Sequence, residues 1–180
     1  NILSPKIHGT IRGKYEYQPD DDAGRFEVRN ARVSLEDTVM KYVGYKAEID
    51  LSDEGKIKML DAYGELNPDD KWSFRIGQMR VPFTIDAHRS PAARYFANRS
   101  FIAKQVADIR DVGGCLEYRL DAGFPIIFQG GLFNGSGLTN QKNYWTKSVN
   151  FSAKAQFLFP KGFNLTMSVQ KVKPEDVVIM

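Results

Sequence analysis
Cysteine occurs once in the 180 residues, at Cys115, and histidine twice, at His8 and His88. One thiol excludes an internal disulfide framework and a multi-cysteine zinc site. The two histidines lie far apart, and neither has an H-x-x-x-H partner, so no metal pair or catalytic triad is indicated. An enzyme on a small barrel needs a Ser-His-acid constellation, and nothing sets a serine beside either histidine. No catalytic residue, metal or cofactor is therefore expected. Charge of one sign is also scarce. Lys and Arg number 25 against 22 Asp and Glu, and the net charge of +3 is too small to indicate nucleic acid. No run of 18 apolar residues exists, which excludes a transmembrane helix. It does not exclude a membrane strand, because lipid-facing and lumen-facing residues alternate there and cancel in the average. Two loop motifs also fall short. Asp20-Asp21-Asp22 lacks the later ligands of an EF-hand, and NGSG at 134–137 lacks the Gly-Lys-Ser/Thr of a phosphate loop.

What the chain has is alternation. Ile7, Gly9, Ile11, Gly13, Tyr15 and Tyr17 share one face of a strand over 6–17, with Lys6, His8, Thr10, Arg12, Lys14 and Glu16 on the other. Twelve residues of period two exceed an ordinary globular strand and suit a tilted membrane strand. A second strand over 25–35 changes phase partway, and a bulge near Asn30 would repair it. The pattern predicts further strands over 39–51, 56–66 (with a phase change near Leu60), from Trp72, over 112–120, 125–133 and 147–159, and from Phe163. Turns are expected at 18–24, 36–38, 52–55, 67–70, 121–123 and 160–162. Trp72, Tyr42, Tyr45 and Trp145 fall near strand ends or turns, as in an aromatic girdle. The fold expected is all-β: an antiparallel up-and-down transmembrane β-barrel of about nine visible strands.

The connections fall into two sets. Every second one is short, and the alternate set is mostly longer, with 52–55 the exception. Short periplasmic turns facing longer extracellular loops mark an outer-membrane barrel, and a Greek-key sandwich does not predict them. The longest connection, 82–111, runs to roughly thirty residues, beyond the length of ordinary loops. Its apolar residues, such as Phe83, Tyr95 and Phe101, argue against disorder. It carries Arg89, Arg94, Arg99 and Lys104 at five-residue intervals, with no acid among them. That spacing does not align them on one helical face.

If the apolar face meets lipid, the polar face lines a lumen. Arg12, Lys14, Arg29, Arg32, Lys46 and Arg75 are its candidates for an anion path, with Lys6, His8 and Lys154 beside them. Acidic candidates are Glu16, Glu27, Glu48 and Asp50. Rings of Arg and Lys favour anions and phosphates, and the planar guanidinium donates two parallel hydrogen bonds to such oxygens. A mixed-charge solvated face is the plain alternative. Arg99 or Arg110 could equally pin the long segment to the wall through Asp108, Asp111, Glu48 or Asp50.

Four stretches carry a resemblance: GQMRVPF (77–83), the pair Arg99-Ser100, RDVG (110–113) and GLFNG (131–135). In this order on an alternating background, the chain resembles the phosphate-selective porins O and P of Bacteroides-type bacteria, over nearly its whole length. The resemblance implies a sixteen-stranded homotrimeric barrel in the bacterial outer membrane, surrounded by lipid. It also implies that the third extracellular loop, here 82–111, folds inward as a constriction, and that Arg and Lys form a path for phosphate-like anions. Arg99 and Arg110 lie in matching motifs and take that role. Bacterial single-chain barrels have even strand numbers, so nine strands imply the N-terminal half of a longer porin. The chain, 1–180, is then a single barrel domain or the N-terminal portion of one. The function expected is passive diffusion of small anions such as phosphate. The alternatives are a non-selective general porin and a soluble β-barrel or sandwich with an internal ligand cavity.

Overall fold
A computed structural model of the chain describes residues 4–83, 110–138, 149–160 and 163–171. It is all-β. Nine strands form one antiparallel meander in which each pairs with its sequence neighbours. They are β1 (Lys6–Gln18), β2 (Ala23–Met40), β3 (Val43–Asp53), β4 (Lys56–Leu66), β5 (Trp72–Arg80), β6 (Arg110–Asp121), β7 (Pro125–Phe133), β8 (Asn150–Leu158) and β9 (Asn164–Lys171). The sheet is open, with β1 and β9 as its edges among the described residues. No helix among those residues is long and apolar enough to cross a membrane, which says nothing of strands.

The alternation translates directly into faces, because successive side chains of a strand point to opposite sides. Ile7, Ile11, Phe26, Ile57, Phe74, Ile76 and Met167 all lie on the outside and are strongly exposed, Phe26 at 88% and Ile11 at 83%. The soluble alternative requires this apolar face to be turned inward. The buried side chains of the opposite face are mostly polar, among them Asp61, Ser73, Glu117, Ser152 and Lys154. The chain is inside-out relative to a water-soluble barrel, as a lipid-facing sheet must be.

Two bulges correct the phase where the pattern slips. Arg12 pairs with Asn30 and Gly13 with Val28, so Arg29 is the extra residue of β2. In β4, Asp61 faces Glu48 and Met59 faces Ile49, leaving Leu60 as the extra residue. One predicted turn is wrong. Residues 36–38 remain in β2, and the chain turns at Lys41-Tyr42, four residues later. Glu36 lies opposite Lys46, Asp37 opposite Tyr45 and Thr38 opposite Gly44. The turn-like residues are absorbed into the ladder up to Thr38, and Glu36 meets His8 of β1 at 3.1 Å. The third strand accordingly starts at Val43, not Val39.

The two sets of connections end up at opposite ends of the sheet. One end holds 41–42, 67–71, 122–124 and 159–163, all short. The other holds the turn at 19–22, the hairpin at Glu54-Gly55, the long segment after β5 and the connection from β7 to β8. The Glu54-Gly55 hairpin is short because both residues take positive φ, 46° and 83°, the geometry of a tight two-residue turn. Aromatic rings gather at the short-turn end, where Phe124, Phe157 and Phe163 surround Phe159.

Candidate functional site: the inner wall and the root of the long segment
The inner face is densely ionised, and its charges are matched across strands. Arg32 Nε lies 3.0 Å from Asp50 Oδ2, and its Nη1 lies 3.5 Å from Glu48. Lys46 stands 3.8 Å from Glu48. Lys14 sits between Glu16 (2.5 Å) and Glu27 (3.1 Å). Arg75 pairs with Glu65 at 2.5 Å and with Glu117 at 3.6 Å. The register dictates these contacts. Arg32 faces Asp50, and Glu65 faces Arg75, directly across a strand pair. Arg12 is half-buried opposite Asn30, and Arg29 is half-buried at the bulge. Arg89, Arg94, Arg99 and Lys104 lie outside the described residues.

Arg110, one of the two residues favoured by the motif argument, is buried at 6% exposure. Its Nε donates to Asp61 Oδ1 at 2.8 Å, and its Nη2 lies 4.0 Å from Glu48. It starts β6, where the long segment ends, and it clasps β3 and β4. The geometry is that of pinning, with Glu48 as expected and Asp61 as the nearer partner. Asp61 was not foreseen because it follows the phase change at Leu60. Glu65 was missed although simple continuation of the alternation sets it on the inner face; Glu117 and Arg119 share the face of Cys115, where Arg119 donates to Glu117 at 2.7 Å.

The other root of the segment is held on the opposite side. The chain leaving β5 turns across the inner face, and Ser152 Oγ of β8 donates to the Pro82 carbonyl at 2.7 Å. Strand β8 is three strands away from β5, about 14 Å along a flat sheet. Pro82, Ser152 and Phe133 are the most completely buried side chains described. Met79, Val81, Cys115 and Phe133 form a small apolar cluster, with Tyr63 packed against it. Cys115 is thus a buried structural residue of the inner wall.

Glycine allows close backbone approaches beside this root. A Cβ on Gly113 would come within 2.1 Å of the Leu132 carbonyl oxygen and 2.7 Å of the Phe133 ring. One on Gly77, at φ 134°, would come within 2.3 Å of the Ala62 oxygen. The bare backbone leaves room for Phe133 at Gly113 and for close approach of β4 at Gly77. Asp111 completes the knot. Its carboxylate accepts from Val112 N at 2.8 Å and from Gly135 N at 2.6 Å, fixing the start of the β7–β8 connection. Gln78 reaches across to the carbonyls of Met59 and Leu60, both at 2.8 Å, beyond the last β4–β5 pair. The motifs 77–83, 110–113 and 131–135, dispersed in sequence, therefore meet at one place.

A family model described as phosphate-selective porin O and P matches residues 6–171. The chain belongs to this porin family. No curated protein and no solved structure matches it significantly. The porin assignment agrees with the outward apolar face, the ionised inner face and the single up-and-down sheet.

Proposed function
We propose that this porin-family chain contributes to a water-filled channel of the bacterial outer membrane through which small anions, including phosphate, diffuse passively. The observation that carries this reading is the root geometry. The long segment leaves β5 inside the sheet, held by Ser152, and returns at Arg110, held by Asp61. A segment anchored at both ends on the inner wall narrows the lumen, and 82–111 is the constriction. Focusing of charge at such a narrowing sets ion selectivity. Arg89, Arg94, Arg99 and Lys104 supply cations there, while Arg12, Lys14, Arg29, Arg32, Lys46 and Arg75 belong to the wall. The protein carries out no chemistry. The open edges of β1 and β9 cannot stand unpaired in hydrocarbon, so closure requires further strand pairing. A sixteen-stranded homotrimer in lipid meets that requirement.

A second reading, a general porin of weak selectivity, draws on the charge matching. Lys14, Arg32, Lys46, Arg75 and Arg110 each stand within 4.0 Å of a carboxylate, which offsets their field. Reversal potentials of the intact protein in planar bilayers, across a potassium chloride gradient, decide between them. Anion-favouring potentials are expected, with chloride current falling as phosphate is added. Potentials near zero support the general pore, and cation-favouring ones refute the anion channel.

A further inference from the structure
Not every cation of the inner wall is compensated. Lys154 of β8 is buried at 5% exposure, yet among the described residues no carboxylate comes within 4.0 Å of its ammonium. It lies opposite Gln129 on β7 and Ser168 on β9, both neutral. Among the described residues, Arg119 of β6 pairs only through its Nε, with Glu117, and 59% of its side chain is exposed. Both residues line one cavity of about 340 Å³ on the inner wall. Of the other cations that line it, Lys46 and Arg75 are paired with Glu48 and Glu65. Two of the carboxylates that line the cavity are already engaged. Glu117 accepts from Arg119 and from Gln129 at 2.6 Å, and Asp61 is held by Arg110.

The cavity is not merely basic. Tyr63, Met79, Pro82 and Ile127 give it an apolar side, and Gln156 adds a neutral amide. Arg119 faces Ile127, which faces Gln156, two residues along β8 from Lys154. The uncommitted donors of β6 and β8 thus flank an apolar strip, with their backbones about 10 Å apart. A volume near 340 Å³ falls in the range that holds small organic ligands. A bare inorganic anion would leave the apolar side and the amide unused.

Building on the channel reading, we propose that this cavity is a binding site for a small organic oxyanion. Its phosphate or carboxylate head docks on Lys154 and Arg119, and its organic body lies against Tyr63, Ile127 and Gln156. The planar fork of Arg119 and the point charge of Lys154 suit such a head. The wall then selects phosphorylated or acidic metabolites over the inorganic ion.

The test is block of chloride current through the intact protein in planar bilayers by glucose 6-phosphate, inorganic phosphate and glucose. Glucose 6-phosphate is expected to half-block at a several-fold lower concentration than inorganic phosphate, and glucose not to block. Lys154→Gln raises the half-blocking concentration of glucose 6-phosphate about tenfold, as loss of a charged hydrogen bond does. Lys154→Arg, which retains the charge and reports on folding, stays within about threefold. Arg119→Gln, at an exposed position where folding is not at stake, weakens block in the same direction. Equal block by the two phosphates, or block unchanged in both Lys154→Gln and Arg119→Gln, overturns the proposal. A cation-favouring reversal potential in the unmodified protein instead refutes the anion channel itself, so the two failures are distinguishable.

Discussion
Replacing Arg110 by glutamine removes the cation that closes the exit root of the long segment. The cost follows from what is left behind. Glu48 and Asp61 are direct cross-strand partners, and Arg110 stands against both, at 4.0 and 2.8 Å. Glu48 keeps Arg32 at 3.5 Å and Lys46 at 3.8 Å. Asp61, 8% exposed, has no other ion pair among the described residues. Arg110→Gln therefore leaves a buried carboxylate unpaired beside a like charge, a change that costs about 3–5 kcal/mol. Asp61→Asn is milder, about 1–3 kcal/mol, because the amide oxygen still accepts and Glu48 remains near the guanidinium. If the two residues act through each other, the double variant loses less than the sum, by at least about 1.5 kcal/mol. Equilibrium urea unfolding of protein refolded into lipid bilayers, followed by tryptophan fluorescence, measures all three. Additivity within about 0.5 kcal/mol would refute the clasp and reduce Arg110 to an ordinary wall residue.

Two further outcomes are expected from the same unfolding assay. Gly113→Ala should lose about 1–3 kcal/mol, because its new Cβ meets backbone and the Phe133 ring, whereas Gly9→Ala, with nothing within 4 Å, should stay within about 0.5 kcal/mol; equal effects would contradict the close approach at the root. Ile11→Arg on the outer face should cost about 2–4 kcal/mol in a bilayer, while Ser34→Arg on the inner face, opposite Glu48, should stay within about 1 kcal/mol; the reverse order would mean that lipid meets the other face.

The fold was legible because period two is a local signal. Strands β4 and β7 run over the residues that alternation predicts, and both phase slips are bulges, at Arg29 and Leu60. The turn at 36–38 misled because Glu-Asp-Thr is turn-like only in isolation. In the sheet, Glu36 faces Lys46 on one side and meets His8 on the other, and that information sits ten or more residues away. The site was less legible for a related reason. Alternation gives the face of a side chain and not its partner. It assigned Arg32, Lys46 and Arg75 to the polar face, but their carboxylates belong to neighbouring strands whose register no single strand reveals. Arg110 is a sharper case. It shares the parity of Val112 and Leu116, yet its side chain reaches Asp61 on the inner face. There β5 and β6 continue past the last β4–β5 pair, Ala62 with Gln78, so the strict alternation of a full ladder no longer holds.

That departure also explains why the family's motifs fall where they do. A barrel strand needs only alternating polarity, which very many sequences satisfy. Specific residues are demanded where the chain must leave the ladder and cross the inner face. Gly77 lets β5 approach the β4 backbone closely, and Gly113 leaves room for Phe133. Phe133 and Pro82 fill the space so opened, and Ser152 holds the crossing chain by its carbonyl. Asp111 and Arg110 tie the return to a second loop and to the wall. The matched charges follow the same logic. A guanidinium clamped between carboxylates fixes geometry at the expense of its field, so the residues that hold the roots of the long segment are poor candidates for attracting an ion. On the channel reading proposed above, the wall's own contribution to selectivity then falls to cations it leaves uncompensated. Among the described residues, Lys154 and the free end of Arg119 meet that condition on the β6–β8 wall.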